Sequence, residues 1–178
     1  MNKMKMLCLA ALLASSQIAF AAAAAGPAAA VAPGAPAASH VKPVQDLLAA
    51  MQSEKLMRSI ASASRYSNEQ QRKAVFAKLD QVAPAEIHLR LAAPVARLVS
   101  HETALEMTKF YTSSYGQKML KSTYNSGPSF GDNTPVPTPA ERKLLKQPEY
   151  IKANKAMMEA EAGIRHEAFL LLQAISKR

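Results

Sequence analysis

Sulfur chemistry is almost absent from this chain: among its 178 residues there is one cysteine, Cys8, inside a short apolar run near the start. A chain trimmed of that run has no thiol, which excludes disulfide staples, a thiolate nucleophile and a cysteine-held zinc. Tryptophan is missing altogether, and with it the aromatic platform expected of a sugar-cleaving site. Glycine is scarce, and the stretch SGPSFGDN has two glycines but no following Lys-Ser or Lys-Thr, so no phosphate-cradling loop is expected. No window alternates apolar and polar residues as a half-buried strand does. Dense basic runs are lacking too: 22 basic residues against 13 acidic ones give a formal charge of +9, but the longest cluster is Arg142-Lys143 with Lys146. A nucleic-acid site concentrates such charge and interleaves aromatics for stacking, so no specific nucleic-acid partner is expected. Solvated helix faces account for the charge, with loose attraction to anionic envelope surfaces as the alternative.

What is present divides into three parts. Lys3 and Lys5 precede the apolar run Met6–Phe20, and Ala19-Phe20-Ala21 supplies small residues at the spacing a signal peptidase reads. Residues 1–21 thus read as a signal peptide cleaved after Ala21, with Ala23 and Ala25 as alternative frames, and the protein as periplasmic or secreted. The apolar run is about fifteen residues, short of the roughly 20 that span a bilayer, and no other segment comes close; the mature protein is expected to have no transmembrane segment. Residues 22–40 read as a flexible Ala/Pro/Gly linker, because prolines at 27, 33 and 36 break any helix the alanines favour. Residues 41–178 are one domain's worth of chain.

That domain reads as all-α, a compact bundle of about six to seven helices ending in a long C-terminal one. Val44, Leu47, Leu48 and Met51 recur at helical spacing behind Pro43, and a phase break follows near Gln52-Ser53 before Leu56, Met57 and Ile60. Val75, Phe76, Leu79 and Val82 form a third stripe; Ile87, Leu91, Val95 and Leu98 a fourth, which Pro94 should kink or split. Leu105, Thr108, Phe110 and Tyr111 belong to a fifth, opened by Ser100 as cap. The longest comprises Tyr150, Ala153, Met157, Ala160, Ile164, Ala168, Leu171 and Ile175, and should be the spine of the bundle. Ser67 with Gln70, Ser114 with Gln117 and Thr138 with Glu141 each have the spacing of a capping box, in which the hydroxyl accepts the amide three residues on and that residue's side chain returns the bond. Met51, Met57, Met107, Met119, Met157 and Met158 read as adaptable core fillers, with a methionine-rich ligand surface as the alternative.

The stretch ALEMTKFYTSSYGQKML, followed by a loop and PTPAERKLL, resembles the signature of secreted bacterial proteins grouped as domain of unknown function 2059. The resemblance runs from about Val44 to Leu120 in order, taking in VQDLLAAMQSEKLM and RLAAPVARLVS, and more loosely through the last helix; Tyr115 stands where proline is usual. It implies an all-helical fold and an envelope location, and no activity.

Residues able to do chemistry are badly spaced for it. Ser114-Tyr115-Gly116 has half of a nucleophile elbow, but Thr112 replaces the first glycine and a helix leads in where a strand is needed. His40, His88, His101 and His166 lack a second ligand one turn away. His88 and His166 read as exposed or flanking residues, and His101 as neutral and solvated. Glu102 with Glu106, and Glu159 with Glu161, are the nearest acid-base pairs. We therefore expect no catalytic residues, no cofactor and no metal. Phe110, Tyr111, Ser114, Gly116 and Gln117 read as a structural corner: Phe110 and Tyr111 anchor one helix, Ser114 and Gln117 box the next, and Gly116 lets a neighbour come close. Phe130, in the Gly- and Pro-containing loop 122–137, is a candidate partner contact. The expected role is binding or interaction in the bacterial envelope, with an unidentified protein or envelope component as partner and a homodimer allowed by the long apolar stripe. Its rival is a hydrolase of envelope polymer, which needs Glu102, Glu106 and a histidine in one cleft.

Overall fold

The fold is that of a computed structural model, which describes residues 38–125 and 135–177. The leader with its cleavage points, the linker up to residue 37 and the loop position Phe130 lie outside the described residues. Eight helices, and no strand, are found among the described residues: α1 Ala38–Ala50, α2 Ser53–Ala63, α3 Glu69–Asp80, α4 Pro84–Val95, α5 His101–Thr112, α6 Ser114–Asn125, α7 Pro139–Leu145 and α8 Pro148–Ser176. None of them is long and apolar enough to cross a membrane.

Helix α8 organises the bundle. At 29 residues it is about 44 Å long, and α2, α3, α4, α5 and α7 all pack on it. Every residue of its sequence stripe is buried, joined by Leu172. Ala153, Ala160 and Ala168 alternate along that face with Met157, Ile164 and Leu171, so small side chains let neighbouring backbones approach while large ones fill between them. On the other side of the core α1 lies between α4 and α5, with Val44, Leu47 and Leu48 completely buried.

Two joints follow from local chemistry. Between α1 and α2 the chain turns at Gln52, whose φ of 55° and ψ of 53° are left-handed, an uncommon state for a residue with a Cβ; this is the break in hydrophobic phase. Pro94 denies a bond to the carbonyl one turn back, and α4 ends one residue later. Ser100 caps α5, accepting the Thr103 amide at 3.2 Å, and Thr138 with Glu141 forms a complete capping box on α7.

Other expectations are corrected. Helix α1 opens at Ala38, not behind Pro43, and so absorbs the last three residues assigned to the linker. The tie is tertiary: Nε2 of His40 lies 3.0 Å from the Ala96 carbonyl and 2.8 Å from that of Val99, fastening the first turn to the chain beyond α4. Helix α3 is capped by Asn68, which accepts the Gln71 amide at 2.8 Å, while Gln71 takes the Ser67 amide at 2.7 Å. The box is displaced one residue from the Ser67–Gln70 reading, because Ser and Asn are equivalent caps and stand side by side. On α5 the buried face is Thr103, Ala104, Met107 and Phe110, and Leu105 is 45% exposed. Thr103 and Ala104 take the buried positions although Leu105 is the more apolar residue. Met158 is 68% exposed and is not a core filler.

Candidate functional site

The aromatic corner builds one wall of the site. Phe110 is buried at the end of α5, its ring 5.1 Å from that of Tyr111, 6.2 Å from Tyr115 and 5.1 Å from Tyr150. The chain turns at Ser113, and there the expected cap moves by one residue. Ser113, not Ser114, receives the Gly116 amide, at 3.1 Å, and also donates its hydroxyl to the Phe110 carbonyl at 2.6 Å. The side-chain amide of Gln117 reaches back to the Tyr111 carbonyl and its oxygen accepts from Gln52 at 3.2 Å, so one residue links the α5–α6 and α1–α2 joints. Ser114, first residue of α6, donates to the Glu141 carboxylate at 2.7 Å.

Glu141 is thus the clasp between α6 and α7. Its carboxylate accepts the Thr138 backbone amide at 2.7 Å and the Ser114 hydroxyl, with Lys118 at 3.6 Å. These contacts, the Thr138 amide foremost, hold its pKa down at about 2 against an ordinary 4.5. The folded value lies below the unfolded one, so the clasp contributes fully above about pH 4.5 and is lost as pH falls toward 2. Glu141→Gln, which keeps a box-forming side chain but cannot titrate, should flatten the fall in unfolding midpoint between those limits. An unchanged acid limb would assign the loss to other carboxylates.

The acid-base candidates pair with cations or face solvent. Glu106 is paired with Lys109 at 3.0 Å, whereas Glu102 and His101 are exposed on the first turn of α5. Glu159 lies 4.0 Å from Lys155 and Glu161 3.7 Å from Arg165, and two residues apart on one helix they point to different sides. His88 is not an exposed residue; it sits 3.0 Å from Glu54, with only 12% of its side chain exposed. His40 and His101 face one another at 5.9 Å between centroids. Among the described residues no three of His, Cys, Asp and Glu come together as a metal would require.

What the fold does assemble is a cleft of about 450 Å³ between α2, α5, α6 and α8. Phe110 and Tyr111 form one side, and Met119, Leu120, Thr123 and Tyr124 of α6 another. Met51, Leu56 and Ser59 close it from the α1–α2 joint and α2, while α8 contributes Tyr150, Asn154, Met157, Met158 and Ile164, with Glu161 and Arg165 as the charged pair. The Tyr124 hydroxyl donates to the Met51 carbonyl at 3.2 Å. Burial pushes its pKa up to about 12 and raises those of Tyr111 and Tyr150 as well, so all three present neutral hydroxyls at neutral pH. Chemically it offers thioethers, aromatic faces, hydroxyls and one pair of opposite charges, Glu161 and Arg165. Sequence reasoning found Phe110 and Tyr111 but gave them a purely structural role, and it missed the cleft. The signal was the methionine set, four members of which line it.

The chain matches no protein family model, no curated protein and no solved structure.

Proposed function

We propose that the protein is a small-molecule binding module of the bacterial envelope, exported by its leader, whose ligand site is the methionine- and tyrosine-lined cleft. The observation that carries this reading is the cleft's make-up. About 450 Å³ falls within the range of roughly 300–1,000 Å³ of small-molecule sites, and the walls are mainly apolar with a few polar groups that can orient a ligand. Methionine suits such a wall because its unbranched, polarisable side chain adapts to a guest. The leader pattern and the resemblance to domain of unknown function 2059 support the envelope location.

The test is fluorescence titration with N-phenylnaphthylamine, an uncharged probe that brightens in apolar surroundings. Saturable brightening with one site per chain is the expected result. Ser59, exposed on the α2 rim, can be enlarged without disturbing the core, and Ser59→Trp should weaken the probe by about tenfold or more, the equivalent of roughly 1.4 kcal/mol. No saturable signal, or a Ser59→Trp variant that binds as the parent does, overturns the reading.

A further inference from the structure

The charges around the cleft are distributed unevenly along the α2–α8 seam. Arg165 is the only cation and Glu161 the only anion among the described residues that line the cleft. Arg165 also lines a second depression further along the seam, with Ile60, Ala63, His166 and Phe169. It stands where the two meet, at one end of an apolar channel.

Its bonding leaves it available to a ligand. The contact with Glu161 spans one turn of α8 at 3.7 Å, beyond hydrogen-bond length, and about half of the Arg165 side chain is exposed. A guanidinium has five N–H donors in a planar fork that matches a carboxylate, and it does not lose its charge. Tyr124 and Tyr111 stand within the field of this pair, Tyr124 of Arg165 and Tyr111 of Glu161. The Tyr124 hydroxyl is committed to the Met51 carbonyl, so the guanidinium fork is the chief donor at this end. Aromatic faces also suit a cation, but a cationic head would have to enter beside Arg165 against a chain that without its leader still has 20 basic residues to 13 acidic ones, about +7. An anionic head shares the Arg165 fork and is drawn in by the same field.

Resting on the binding reading above, we propose that the cleft takes a single-chain amphiphile with one anionic head, of the fatty-acid class. Its chain lies among the methionines and aromatic rings and its carboxylate meets Arg165 at the mouth. Free carboxylate, not a phospholipid surface, is the chemistry assigned: the channel is a recess in the bundle, and Arg165 is a lone cation there where a membrane-binding face has a basic cluster.

The experiment displaces N-phenylnaphthylamine from the full chain with dodecanoate, dodecan-1-ol or dodecylamine, which share a chain length and differ in head. Dodecanoate should displace best, ahead of the alcohol by about tenfold, the scale of a charge-assisted hydrogen bond. Arg165→Gln should collapse that ratio toward one, and Arg165→Lys should keep part of it. Glu161→Gln, which frees the guanidinium, should widen it. Using the ratio of two ligands within one protein removes any general change in the cleft. Dodecylamine ahead of dodecanoate, or a ratio untouched by Arg165→Gln, overturns the assignment. So does salt-sensitive, Arg165-dependent retention on phosphatidylglycerol vesicles without dodecanoate displacement. Each of these leaves the cleft reading standing as long as the parent binds the probe, whereas failure of the parent to bind it removes both.

Discussion

Gly116→Ala should lower the melting temperature by about 6–10 °C, although alanine is the better helix former by about 1 kcal/mol. The reason is a backbone in the way. A Cβ at Gly116 would lie 2.1 Å from the Phe110 carbonyl oxygen, and 2.8 Å from both the carbon of that carbonyl and the Tyr111 Cα. A flexible side chain could swing aside, but this carbonyl is held. It accepts the Ser113 amide at 3.0 Å and the Ser113 hydroxyl at 2.6 Å, and Ser113 in turn caps α6. Moving it breaks the joint. Overpacking costs about 1–3 kcal/mol, and with backbone as the obstacle the upper end applies, about 2 kcal/mol net of the propensity gain of about 1 kcal/mol. Gly116→Val, larger and β-branched, should cost more. Gly163→Ala is the internal control, because its Cβ would meet only the Leu98 side-chain tip at 2.9 Å, which can rotate. Ser113→Ala, losing the cap and the hydroxyl's bond to the Phe110 carbonyl, should cost about 1–2 kcal/mol. A Gly116→Ala protein that melts at or above the parent would mean that α5 and α6 do not approach as described.

The close approach at Gly116 was legible in the sequence as a debt: glycine in a first helical turn is unfavourable unless a neighbour needs the space. The neighbour's identity was not, since it is a carbonyl fixed by the geometry of the turn. The same division runs through the fold. Helix α8 could be read residue by residue because burial along it follows one 3.6-residue period, a local property. The caps at Ser100 and Thr138 were legible because no rival stands beside them, whereas Ser113-Ser114 and Ser67-Asn68 each offer two acceptors, and only the trajectory of the incoming chain chooses. The opening of α1 at Ala38 depends on His40 reaching carbonyls more than fifty residues away, for which no local pattern exists.

The cleft was illegible for a different reason. Its walls come from four helices, and its residues are individually unremarkable methionines, leucines and tyrosines. Adjacent Met157 and Met158 show the difficulty: the first is buried and the second 68% exposed, yet both line the cleft. Hydropathy gives them the same value. Where neighbouring helices fail to meet is decided by their splay, which the lengths and crossing of whole elements determine.

Phe110→Ala should be among the most damaging single truncations, costing about 3–5 kcal/mol of stability and lowering the melting temperature by about 10–15 °C. Phe110 is only 7% exposed and sits where α5, α6 and α8 converge, against Tyr111, Tyr115 and Tyr150. Removing the ring loses its own burial together with edge and tilted ring contacts worth about 0.5–1.5 kcal/mol each beyond burial. The surrounding helices cannot close the gap, because Tyr111 is tied through its carbonyl to Gln117 and α8 is fixed by its buried stripe from Tyr150 onward. The gap would open into the cleft, of which Phe110 is already a wall. Stability and binding should therefore separate: in denaturant titrations at 25 °C Phe110→Ala loses several kcal/mol, while below its melting point it still takes up N-phenylnaphthylamine into a roomier cleft. Phe110→Leu, which refills most of the space, should recover more than half of the lost stability. A loss below about 1 kcal/mol for Phe110→Ala would place the ring outside the core. Unchanged stability together with abolished probe binding would make Phe110 a ligand contact and nothing more, and the corner would cease to be the structural joint that holds the cleft open.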